Sequence, residues 1–194
     1  MKRIKLIKWR TVFILLACAL MVTPQLVATI MLQMNLESLS QRADRIFRGT
    51  VVDVIPGSVT VGGGEIPTTT YLLQVEELFK GTADIVKEDV QIIRIQMVGS
   101  LKEIPAQGDY QRFSVFRDVP RLEMRHDYLL FTTQPSPIGL STTVGLGQGA
   151  FNIFARNKED FAVNEFNNVG LGLEASGPVA YSELAAKIRT LVGN

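Results

Sequence analysis

The stretch Arg45-Ile46-Phe47-Arg48-Gly49-Thr50-Val51-Val52-Asp53-Val54-Ile55, closed by Pro56-Gly57, decides the fold class. It is rich in β-branched residues and ends in a turn pair, the signature of a strand. Gly49 interrupts it, and a glycine inside a strand marks a bulge or a sharp bend.

Working outward, Val59 to Pro67, with Gly62-Gly63-Gly64, reads as a flexible hairpin connection. Thr68 to Phe79 reads as the second strand, with Tyr71, Leu73 and Val75 alternating against Leu72, Gln74 and Glu76. The first set is expected to face the core. Asp89 to Val98 forms a third strand, with Ile93, Ile95 and Met97 on one face. Asp127 to Thr133 forms a fourth. Thr142 to Arg156, glycine-rich in its first half, forms a fifth, and Phe161 to Phe166 adds an edge strand.

Two helices flank these strands. Asn35 to Ala43 is a short one, with Asn35 placed to cap it and Leu36, Leu39 and Ala43 on one face. Tyr181 to Val192 repeats apolar residues at helical spacing, Tyr181, Leu184, Ala185, Ile188, Leu191 and Val192, and is followed by Gly193. A bent first strand, five to six strands in all and a helix at each end predict a mainly β fold. The expected architecture is a small closed barrel of the OB type, with a β-sandwich as its rival.

The N-terminus has a different character. Residues 1–28 hold five of the 20 Lys and Arg, none of the 19 Asp and Glu, the only Cys (Cys18) and the only Trp (Trp9). Without them fifteen basic residues face nineteen acidic ones, a net charge of −4. A basic start, the apolar run Thr11 to Val22 and the small residue Ala28 have the layout of a secretory signal peptide over 1–28. One domain is then expected over 29–194, exported to the periplasm or beyond the cell. Two alternatives stand beside cleavage. The uncharged stretch Thr11 to Leu36 is long enough to be an uncleaved anchor, and Leu15-Leu16-Ala17-Cys18 resembles a lipobox. Membrane contact is expected only through this segment. A body without cysteine has no disulfide and no thiol-based metal site.

Ala43-Asp44-Arg45-Ile46-Phe47-Arg48-Gly49-Thr50-Val51, followed by a Tyr-led strand ending Glu77-Leu78-Phe79-Lys80-Gly81, resembles the opening of netrin-type and metalloproteinase-inhibitor-type OB barrels. With the block Val144-Gly145-Leu146-Gly147-Gln148-Gly149-Ala150-Phe151 it also resembles uncharacterised exported bacterial proteins. The resemblance implies a barrel and carries no functional residue. The tissue inhibitors act through an N-terminal cysteine and disulfides that have no counterpart here.

Candidate chemistry is sparse. His126 is the only histidine, and Asp127 beside it points to the opposite face of a strand, so a hydrolytic relay through His126 is the least favoured reading. Gly145, Gly147 and Gly149 lack the spacing and the following helix of a nucleotide loop. Asn157-Lys158-Glu159-Asp160 lacks the calcium-loop pattern and reads as a hairpin turn. No cofactor or metal is expected, and an acidic, exported body speaks against nucleic acid.

The connection 99–126 stands out. It carries Arg112, Arg117, Arg121 and Arg125 together with Tyr110, Phe113 and Phe116. Long connections are often functional, and arginine and aromatic residues are typical of binding hot spots. The competing reading is that Phe113, Val115 and Phe116 tuck under the barrel while the arginines pair with Asp109, Asp118 and Glu123. The favoured function is a non-catalytic binding module that uses Arg112, Phe113, Phe116, Arg117, Arg121 and Arg125, or an exposed strand edge, to hold an exported protein. The alternative is a secreted protease inhibitor or modulator.

Overall fold

The computed structural model describes residues 32–100, 119–174 and 176–193. Residues from Gln33 onward form one compact unit. The expected leader over 1–28, with Cys18, lies outside the described residues. So do Arg112, Phe113, Phe116 and Arg117.

The strands are β1 (Arg45–Val61), β2 (Gly64–Lys80), β3 (Ile85–Lys87), β4 (Val90–Val98), β5 (Asp127–Thr132), β6 (Ala150–Arg156), β7 (Glu159–Asn164) and β8 (Val179–Ala180). They make one antiparallel sheet in the order β3-β4-β2-β1-β5-β6-β7-β8. No strand pairing joins β3 to β8 among the described residues, so the sheet is open. Helices α1 (Leu36–Arg42) and α2 (Tyr181–Val192) stand at the two ends of the chain order. Among the described residues no helix is long and apolar enough to cross a membrane.

Each helix follows its local signals. Asn35 Oδ1 accepts from Ser38 N at 2.8 Å, capping α1. Gly193, at φ 78°, donates its N–H to Arg189 O and ends α2 in the left-handed turn that glycine tolerates. Leu191 departs from the expected stripe, being 43% exposed.

The sheet buries both faces. Ile46, Leu129, Phe131, Phe151 and Ala162 lie under Leu36, Leu39, Leu184 and Ile188 of the helices. Residues of opposite parity, Phe47, Leu73, Ile93, Ile95, Met97 and Leu130 among them, form a second core on the other face. This second core draws residues from β4 as well as from β5 and β6. A backbone bond from Ser141 N to Gln96 O (2.8 Å) ties β4 to the segment after β5.

Among the described residues the sheet has eight strands where five to six were expected and is open where a closed barrel was expected, and three local expectations also need correction. The hairpin connection over Val59–Pro67 is a tight Gly62-Gly63 turn at φ 59° and 79°, with strand on both sides, because two residues at positive φ let the ladder run to its tip. The fifth strand does not begin at Thr142. Gly145 sits at φ 62°, Leu146–Gly149 is a 3-10 turn, and strand starts only at Ala150. There the chain folds back so tightly that a side chain at Gly149 would meet Val144 O at 2.4 Å. Finally, the expected edge strand near Phe161 is interior, with β8 paired outside it. The bend at Gly49 is present as a register shift between Arg48 and Gly49, and further shifts follow Ile46 and Val51.

Candidate functional site

The register defines a notch at one end of the sheet. The first residue of β5, Asp127, pairs with Thr50 of β1 and with Ile153 of β6. Both neighbours run antiparallel to β5 and continue past its start, β1 to Val61 and β6 to Arg156. The β1–β2 and β6–β7 hairpins therefore project as two arms, with residues 119–126 between them.

That intervening segment is firmly held. Leu122 is buried in the second core. The Tyr71 hydroxyl accepts from the backbone N–H of Leu122, and the Tyr128 hydroxyl accepts from Glu123 N at 2.9 Å. Arg125 N donates to Val51 O (2.8 Å), and His126 O accepts from Val51 N (3.0 Å). Burial is the main reason both phenols titrate above the usual tyrosine range. On this anchored backbone Arg121, Met124 and Arg125 face solvent. Among the described residues neither arginine forms an ion pair. Glu123, one expected partner, lies instead 3.3 Å from His126 Nδ1.

His126 has Glu123 and the Tyr128 ring (centroids 6.5 Å apart) as neighbours. Asp127 points to the other face, as strand alternation requires, and contacts Arg48. Asn157 and Lys158 take φ 53° and 66° in a two-residue hairpin turn, and Asp160 is likewise bound to Arg48. Among the described residues no three His, Cys, Asp or Glu side chains are grouped to hold a metal ion.

Sequence reasoning missed the Arg48 cluster on the helix-covered face. Arg48 contacts Asp127 Oδ2 (2.6 Å), Asp160 Oδ2 (2.8 Å) and Glu76 Oε2 (3.1 Å). Asp127 is held above the ordinary carboxylate range: burial comes first, Arg48 opposes it, and Glu76 and Asp160 add to it. One guanidinium shared among three carboxylates does not offset that desolvation, and Asp127 Oδ1 has no hydrogen-bond partner among the described residues. The cluster ties β1, β2, β5 and β7 together. The Gly145–Gly149 turn is also a structural hub. Gln148 Oε1 accepts from Met34 N (2.7 Å), and Asn164 Nδ2 donates to Gln148 O (3.1 Å).

The β1 arm leaves one edge unpaired among the described residues beyond Val51, and that edge is guarded. Val54 N donates to Asp53 Oδ1 at 2.8 Å, and Pro56 has no N–H to offer. With the shift after Val51, Val54 and Pro56 are the first two positions facing outward, so strand addition is blunted where the arm leaves the sheet.

Comparison with models of known protein families finds no match, and comparison with curated proteins finds none at a significant level.

Proposed function

We propose that this chain is a non-catalytic binding module that works outside the cytoplasm and holds a protein partner at the notched end of its sheet. The observation that carries the reading is Arg121, Met124 and Arg125 standing exposed on a backbone pinned by Tyr71, Tyr128 and Val51. Rigid presentation of arginine and an apolar neighbour lowers the entropic cost of association. The basic, apolar start of the chain supports export. The guarded β1 edge favours recognition by side chains over strand addition.

For the fold we propose an OB-like barrel with its closing pair open. A long β1 shared by β2 and β5, bent at Gly49, supports this, as does the bond from Ser141 to Gln96 that draws β4 toward the chain after β5. The resemblance of residues 43–51 and 77–81 to netrin-type barrels points the same way.

A photo-crosslinking residue placed at Met124 of the full chain in its native host tests the binding reading. A discrete adduct with one exported protein is expected. Labelling of nothing, or an indiscriminate smear, contradicts it.

A further inference from the structure

We propose that the notch between the two arms is a docking site for an acidic polypeptide segment that carries an apolar or aromatic side chain. This rests on the binding-module reading above and specifies its partner's chemistry.

The apolar half of the site lies on the β6–β7 arm. Ala150 belongs to the second core, so by alternation Phe154 and Arg156 lie on that same face. There, beyond the start of β5, the face is open. Phe154 is 39% exposed and stacks on Phe161 of β7, with centroids 6.1 Å apart and planes at 25°. Continuing the register from Asp127 opposite Ile153 brings His126 across from Phe154. The aromatic pair thus borders the segment that carries Met124, 48% exposed. A two-ring platform beside a polarizable thioether offers a contact surface for an inserted apolar side chain.

The cationic half lies on the same two elements, the segment before β5 and the β6–β7 arm. Arg121 and Arg125 on the intervening segment, and Arg156 on the arm, are exposed and have no ion pair among the described residues. Arginines nearer the sheet's centre differ: Arg45 holds Asp84 and Arg48 holds three carboxylates. The one acid on the segment, Glu123, lies against His126 Nδ1 at 3.3 Å. Three guanidinium groups without an ion pair among the described residues, in a stretch 29–194 of net charge −4, make a local field of the opposite sign. Charge complementarity therefore selects an acidic partner.

The same features disfavour other occupants. A second copy docked through a twofold axis would set arginine against arginine. A nucleic acid would meet the repulsion of the acidic body. An added strand would find the first outward donors of β1 capped or absent.

The test uses the full-length chain and three short blocked peptides: Glu-Glu-Phe repeats, Glu-Glu-Ser repeats and Lys-Lys-Phe repeats. A single-stranded oligothymidylate is the fourth probe, and binding is read by fluorescence anisotropy. The Glu-Glu-Phe peptide is expected to bind about tenfold tighter than the Glu-Glu-Ser peptide. Its binding is expected to weaken as salt rises from about 50 to about 500 mM, while the Lys-Lys-Phe peptide does not bind. Arg125→Ala and Phe154→Ser, both at exposed positions, are each expected to weaken the Glu-Glu-Phe peptide by about three- to tenfold. Equal binding of the three peptides, tighter binding of the oligonucleotide, self-association that competes with the peptide, or affinity unchanged in both variants overturns the proposal. If the Met124 crosslink persists in any of those cases, the module reading stands and only the acidic-aromatic assignment fails. If the crosslink is absent too, both fail.

Discussion

The guanidinium carbon of Arg48 lies 4.4 Å from the centroid of the Tyr181 ring, while the hydroxyl of that ring donates to Glu77 Oε2 at 2.6 Å. The first residue of α2 is thereby clamped between β1 and β2. Arg189, about two turns further along the helix, pairs with the same Glu77. Removing the charge of Arg48 leaves Asp127, Asp160 and Glu76 facing one another without a cation. Arg48→Met is therefore expected to cost about 3 kcal/mol. Tyr181→Phe, which keeps the ring and loses only the hydroxyl, is expected to cost about 1 kcal/mol. Urea unfolding of both variants measures the difference, and equal losses would remove the clamp from this account.

Three buried tyrosines give the molecule a weakness to alkali. Tyr71, Tyr128 and Tyr181 all have their phenol pKa raised, burial being the largest cause in each. In the unfolded chain they ionise near the ordinary value of 10.0. A group whose pKa is raised on folding contributes stability that is complete below the unfolded pKa and is lost as pH rises toward the folded one. Stability is thus expected to be level in this respect up to about pH 9. Above about pH 10 it should fall by about 1.4 kcal/mol per pH unit for each phenol that ionises only when unfolded. Urea midpoints at about pH 8 and about pH 11 test this. A Tyr128→Phe protein is expected to show a shallower decline, and an identical slope would contradict the assignment.

Glycine serves close approach at Gly49 and at Gly149. A Cβ at Gly49 would lie 2.5 Å from Gln74 O, and one at Gly149 would lie 2.4 Å from Val144 O, both fixed backbone. At Gly147 the nearest obstacle is the end of the Glu165 side chain, which can swing away. Gly49→Ala and Gly149→Ala are expected to destabilise by about 1–3 kcal/mol each, and Gly147→Ala by less. Thermal melts of the three variants give the order directly.

The helices, the strand cores and the Gly49 bend were legible because their signals are local. Asn35 precedes its helix, Gly193 ends its own, and Ile93, Ile95 and Met97 alternate as a half-buried strand must. The Arg48 cluster was not legible. Its partners Asp127 and Asp160 lie 79 and 112 positions away, and only the register of four strands brings them together. The Gly145–Gly149 turn misled for a related reason. Its glycines meet the demands of packing against Val144 and Gln148, which no strand pattern encodes. The notch was equally hidden, since it arises from the unequal lengths of β1, β5 and β6. Arg121 and Arg125 were picked out by residue type and by their place in a long connection, and Phe154, Phe161 and Arg156 acquire their place only from pairing.

Lifting the guard on the β1 edge should let that edge pair with other chains. Asp53→Ala together with Pro56→Thr leaves the Val54 donor uncapped and restores one at position 56. Concentration-dependent association is expected by light scattering, since open edges recruit further strands. A double variant that stays as monodisperse as the parent would show that the edge is protected by other means.

The central claim is that the rigid, exposed arginines beside β5 hold a partner. Its most direct measurement is native co-purification of the full-length chain from its host, comparing the parent with Arg121→Ala/Arg125→Ala and with Arg42→Ala, an exposed arginine on α1. One exported protein is expected to be retained by the parent and by Arg42→Ala and lost from the double variant. The same protein retained equally by all three would contradict it.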